Sequence, residues 1–129
     1  MSALRMLIAA TLFTTITACA ATRMPPSPAH INHVVYFKLK NPADAAEMIA
    51  DCNNRLATIP SIRSCFVGTH YDIGRDNIDS DYDVALYVGF DTEAGYIEYL
   101  DHPIHLDLVG KWRPRWEWIR IHDVENLRP

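Results

Sequence analysis

The strand-forming stretches of this chain are apolar on both sides, and that limits what the chain can fold into. In INHVVYFKLK, residues 31–40, His33, Val35, Phe37 and Leu39 alternate with Val34, Tyr36 and Lys38. That is the period-2 pattern of a strand rich in β-branched and aromatic residues. Near the other end, RWEWIRIHDV, residues 115–124, sets Trp116 and Trp118 against Ile119 and Ile121. A sheet with one apolar face is covered by its own helices, whereas one with two needs a second cover. The chain is too short to supply helices for both faces, so a second copy of the same chain is expected over the open one.

Between these strands the elements follow in a readable order. Asn41-Pro42 closes the first strand and starts a helix with proline in its first turn, and Ala45, Met48, Ile49, Cys52 and Leu56 recur as one buried stripe. Ile59-Pro60-Ser61 breaks it, IRSCFVGTHY reads as a second strand, 72–81 as a polar loop and YDVALYVGF as a third strand. Thr92 caps a short helix through AGYIEYL, His102-Pro103 interrupts it, and IHLDLVGKW carries on helically to Pro114. The order β, α, β, β, α, β predicts a ferredoxin-like α+β fold, a four-stranded antiparallel sheet with helices on one face.

The first 18 residues stand apart. They hold one base, Arg5, then a run from Met6 to Ala18 without charge, the shape of an export signal. Thirteen residues fall short of the roughly 20 needed to cross a hydrocarbon core. The tetrad Ile16-Thr17-Ala18-Cys19 resembles the lipobox of bacterial lipoproteins. That resemblance implies diacylglycerol on the Cys19 thiol, cleavage before it and acylation, as by palmitate, of the new amino group; several chains anchor stably where one holds weakly. Ala20 is not the aspartate that favours inner-membrane retention, so the expected place is the outer membrane, facing the periplasm. Residues 19–30 read as a proline-rich tether, 31–124 as the domain and 125–129 as a tail.

Removing residues 1–18 leaves 11 bases against 16 acids, a formal charge of −5. Nucleic-acid binding needs clustered bases and is not predicted. The run Lys111, Arg113, Arg115 reads as a solvated face. With Cys19 committed to lipid, Cys52 and Cys65 remain in an oxidising compartment, and either a bridge between them or two buried thiols is compatible with their positions. No metal site is predicted: His102 with His105 gives only two ligands, and the 72–81 loop lacks the glycine and glutamate of an EF-hand, so Asp76, Asp79 and Asp81 read as turn residues.

Five marks in order, INHVVYFKLK, SCFVGTHY, YDVALYVGF, YLDHPIH and RWEWIRIHD, resemble the stress-responsive A/B barrel (Dabb) domain. The resemblance implies a homodimeric α+β barrel, two sheets facing one another around a shared interior. Some members are polyketide cyclases that use the tyrosine and second histidine of Y-x-x-H-P-x-H, here Tyr99 and His105. Members often carry histidine at the position of His33, and the cyclases have another where this chain has Asp83, a departure that would change the charge and shape of the pocket. His33, Val35, Phe37, Asp83 and His102 are therefore the expected neighbours of Tyr99 and His105.

The exposed amides at a helix start disfavour a protonated His105, and a neutral imidazole with a phenol beside it suits carbonyl chemistry. His102, before Pro103, would cap the helix, and the tryptophans Trp112, Trp116 and Trp118 would pack at the dimer interface. Two functions follow: an envelope-anchored, non-catalytic or small-ligand-binding dimer, or a cyclase- or lyase-type enzyme on a carbonyl-bearing substrate, without a cofactor in either case. A hollow onto which both Tyr99 and His105 open separates them.

Overall fold

Asn41 and Pro42 set the first turn of the fold. The Asn41 side chain accepts from the Ala43 amide, and proline starts a 3-10 turn at Pro42–Asp44 that leads into helix α1, Ala45–Leu56. The computed structural model describes residues 28–127. The expected signal, the lipid site Cys19, most of the tether and the last two residues lie outside the described residues.

Strand β1 spans Ile31–Leu39, β2 Ser64–Gly68, β3 Val84–Phe90 and β4 Trp116–Glu125; α2 is Glu93–Asp101, α3 Pro103–Trp112, with a 3-10 turn at Arg113–Arg115. All pairings are antiparallel, in the order β2-β3-β1-β4. This is the ferredoxin-like α+β fold, with one sequence-predicted strand much shortened. IRSCFVGTHY pairs only over Ser64–Gly68, because its partner β3 starts at Val84. Just before it, Asp83 donates its backbone N–H to the Phe37 carbonyl at 2.8 Å, and its carboxylate accepts from the Leu39 amide at 2.7 Å.

The helices pack on the side of the sheet that carries Val35, Phe37, Leu39, Val84, Val88 and Phe90, all buried with Met48, Cys52, Leu56, Tyr99 and Trp112. A bulge between Lys38 and Leu39 rearranges the tryptophans: Trp116 pairs with Leu39 and Trp118 with Lys38, so the two indoles sit on opposite faces. Period-2 counting had put them on the same face. Trp112 is fully buried in the core and its indole N–H donates to Asp51 at 2.9 Å, so it is no interface residue.

Two members of the basic run are likewise not simply solvated. Lys111 pairs with Glu47 and Asp51, and Arg115 with Asp44 and Glu47 while lying 4.1 Å over the Trp112 ring. They tie the α1 region to α3 and its following turn. Cys52 and Cys65 are both free thiols, and burial pushes them up to about 12 and about 11. In the 72–81 loop, Asp72 and Asp79 accept from backbone amides two residues on, and Gly74 takes φ +76°.

Among the described residues no helix lies over the other face of the sheet. Phe66, 61% exposed, stacks on Tyr87 with centroids 5.0 Å apart; Tyr36 meets Tyr82 and His122 edge-on; Arg120 lies 4.2 Å over Trp118. Among the described residues no helix is long and apolar enough to cross a membrane.

Candidate functional site

Between the sheet and the helices is a cleft of about 430 Å³, walled by β1 and β4 on one side and α1, α2 and α3 on the other. It exists because β4 is an edge strand whose residues from Ile119 onward are exposed. Leu100, Leu106, Ile119 and Ile121 form a partly wet apolar rim. The hollow thus lies inside one chain, on the helix side of the sheet, and not in the shared space between two sheets that the sequence reading assigned to it. The reason is the register: His33, Val35 and Phe37 point toward the helices, opposite in direction to Val34 and Tyr36.

Tyr99 and His105 both line this cleft, and their rings are 4.2 Å apart. The helix break brings them together. His102 is extended (φ −68°, ψ 132°), ends α2 and caps α3 by accepting from the Ile104 amide at 3.3 Å, which turns α3 so that His105 folds back over Tyr99. His105 Nδ1–H donates to the Leu100 carbonyl at 3.1 Å, leaving Nε2 with its lone pair. Burial lowers its pKa from the ordinary value, the Leu100 carbonyl pulls the other way, and His33 and His102 nearby lower it further. Desolvation thus keeps the ring neutral, where the sequence reading invoked the helix dipole. The Tyr99 phenol is almost wholly buried, which raises its pKa, and it has no hydrogen-bond partner among the described residues.

Of the residues named from sequence, His33, Val35 and Phe37 line the cleft; His102 and Asp83 do not. His102 is committed to its cap. Asp83 sits at the start of β3, bonded to the Leu39 amide and 3.8 Å from Lys38. Its departure from the cyclase pattern therefore falls outside the cleft lining.

Two residues that sequence reasoning missed hold His33. Asp123, directly opposite it in the β1–β4 register, accepts from Nδ1–H at 2.7 Å, and Tyr96 donates its hydroxyl to the same carboxylate oxygen at 3.0 Å. Burial and the Asp123 hydrogen bond raise the Tyr96 pKa, keeping it a donor. Tyr96 was visible in principle, three residues before Tyr99 on the same helical face; Asp123 needed the strand order. Trp116, expected at the dimer interface, lies against Phe37 at 5.1 Å along the cleft wall. Among the described residues no group of three His, Cys, Asp or Glu side chains is placed to hold a metal ion.

Solved structures of this shape include a dimeric ferredoxin-like protein of unknown function from Thermobifida fusca (TM-score 0.62, 23% identity, covering 74% of this chain and 90% of that one). The hydroxynitrile lyase of Passiflora edulis superposes with TM-score 0.67 at 18% identity, over 80% of this chain and 98% of that one. A cofactor-independent oxygenase from Streptomyces nogalater gives TM-score 0.59 at 13% identity, over 77% and 94%. At these identities the likeness establishes the fold alone. No curated protein matches the chain. Residues 31–126 match the family model described as Stress Responsive A/B Barrel Domain, and the chain belongs to that family, Dabb.

Proposed function

We propose that the cleft binds a small, largely apolar carbonyl compound and moves a proton next to its carbonyl without a cofactor. The observation that carries this reading is that His105 Nε2 and the Tyr99 hydroxyl, both without a partner among the described residues, line the same apolar hollow. A neutral imidazole takes a proton from the carbon beside the carbonyl. A phenol with a raised pKa keeps its proton and donates a hydrogen bond to the enolate oxygen that forms. The proton then returns from the imidazolium to carbon. Nδ1–H stays on the Leu100 carbonyl throughout, fixing the tautomer.

The test is hydrogen–deuterium exchange at the α-carbon of an alkyl aryl ketone in deuterated buffer, followed by proton NMR. The wild-type chain accelerates it, His105→Ala loses on the order of 10²–10⁴ of that acceleration, and Tyr99→Phe loses less. Binding of the ketone without any acceleration would favour the second reading, a non-catalytic ligand-binding module, for which the rim of exposed Leu106 and Ile121 speaks.

The same reading places the domain in a homodimer whose partner covers Phe66, Tyr87, Tyr36 and Trp118. The similar Thermobifida fusca protein is described as dimeric. It also places the chain at the cell envelope, anchored by lipid on Cys19 and facing the periplasm, supported by Ile16-Thr17-Ala18-Cys19. The intact mass of the protein from its host, with and without Cys19→Ser, reports the lipid directly.

A further inference from the structure

The cleft has two poles. At one end stand His33, Tyr99 and His105; at the other stand Arg113 and Trp116. Along α3, His105 and Arg113 are eight residues apart, about 12 Å at the helical rise. Along β1, His33 and Phe37, against which Trp116 packs, are four residues apart, about 13 Å at the strand rise. Both walls therefore give the hollow the same length, and between its ends they present apolar side chains such as Val35, Leu56, Leu108 and Ile119.

Arg113 is unlike the other bases. Lys38, Lys40, Lys111, Arg55, Arg63, Arg75, Arg115 and Arg120 each have a carboxylate, amide or carbonyl oxygen as partner. Arg113 is the one lysine or arginine side chain among the described residues without one. Asp44, Glu47 and Asp51 of the α1 region are occupied by Arg115 and Lys111, and Arg115 with Lys111 holds Glu47 ionised down to about 2. Lys40 is held next door by the Pro114 carbonyl at 2.8 Å, adding positive potential. The Trp116 indole N–H is buried with no hydrogen-bond partner among the described residues. A guanidinium without a partner among the described residues stands, beside the Trp116 ring, at the end of the hollow opposite to its acid–base pair. Guanidinium is the side chain best shaped for a carboxylate.

We infer that the ligand is an amphipathic carboxylic acid about 12 Å long, its carboxylate on Arg113 and its carbonyl beside Tyr99 and His105. This rests on the proposed function, whose pocket it uses, and adds the recognition of the acid.

The probe pair is an oxodecanoic acid with its ketone next to the terminal methyl, and the methyl ester of that acid, titrated by calorimetry into the wild-type domain, Arg113→Gln and Arg113→Lys. The acid binds at one per chain, about tenfold or more tighter than the ester, the scale of a charge-assisted hydrogen bond. Arg113→Gln abolishes that preference while leaving ester binding unchanged, and Arg113→Lys restores part of it. Because Arg113 is exposed and has no partner to lose, the variants keep the wild-type unfolding midpoint. Equal affinities for acid and ester, or a preference that survives in Arg113→Gln, overturn the inference and leave the proposed function standing. If neither probe binds, the ligand-binding reading itself falls, and this inference with it.

Discussion

One strand writes both faces of the sheet, and the two faces come to opposite ends. His33, Val35, Phe37 and Leu39 of β1 meet helices and are buried; Val34, Tyr36 and Lys38, in between, meet none among the described residues. On the helix side the packing is complete over β3, where Val84, Val88 and Phe90 are fully buried, and fails over β4, where Ile119 and Ile121 reach past the helices. That failure is the cleft. On the open side Phe66 stacks on Tyr87 and Tyr36 meets Tyr82 edge-on, with no helix over them among the described residues. Alternation alone is thus compatible with a core, a pocket or an adhesive surface, and the reach of the helices decides which.

The sharpest way to break this comparison is a matched pair of phenylalanines. Phe90→Ala opens a cavity in the packed part and costs about 3–5 kcal/mol in urea unfolding. Phe66→Ala changes the stability of the dilute chain by under about 0.5 kcal/mol and instead weakens self-association in sedimentation. Similar costs would mean that the open face is core in all but name. Next in size is Gly89, on the open face of β3: a Cβ there would lie 2.7 Å from the Ala29 Cβ and 3.2 Å from the Tyr87 hydroxyl. Gly89→Ala therefore forces the 28–30 segment outward and costs about 1–3 kcal/mol by the same measurement. That segment is tied down by Asn32, whose amide donates to the Ala29 carbonyl at 2.9 Å and the Val124 carbonyl at 3.2 Å. Smaller again is the hinge of the cleft: His102→Ala removes the α3 cap and costs about 1 kcal/mol, while His102→Asn, a good cap, holds the wild-type midpoint.

The sequence carried the element order and the Tyr99–His105 pair because both rest on local rules: period-2 and helical spacing for the strands and stripes, and a histidine before proline as a helix start. The location of the hollow was not legible, since it depends on how far α3 extends over β4. The sides of Trp116 and Trp118 were lost to a bulge at Lys38/Leu39, a one-residue event that flips everything before it and leaves no mark in the alternation. Asp123 escaped because His33 finds it across 90 residues of chain, by strand register alone.

The smallest effect tests the chemistry of the hollow face without any substrate. His105 is half-buried and its pKa lies below the ordinary 6.5, mainly through lost hydration, with His33 and His102 adding like charge and the Leu100 carbonyl opposing. The unfolded chain therefore takes up this proton first as pH falls. Above about pH 7 both states are neutral and the ring contributes nothing to the pH dependence; below about 6.5 the wild-type chain loses stability, and the loss levels off once the folded ring is protonated too. Urea midpoints of wild type and His105→Gln, compared across this window, isolate the ring from His33, which keeps Asp123 in both proteins. The difference between them stays flat above about pH 7 and moves against the wild type on acidification. Movement the other way would mean that folding favours the imidazolium, and a ring already charged at neutral pH is no base for the open cleft.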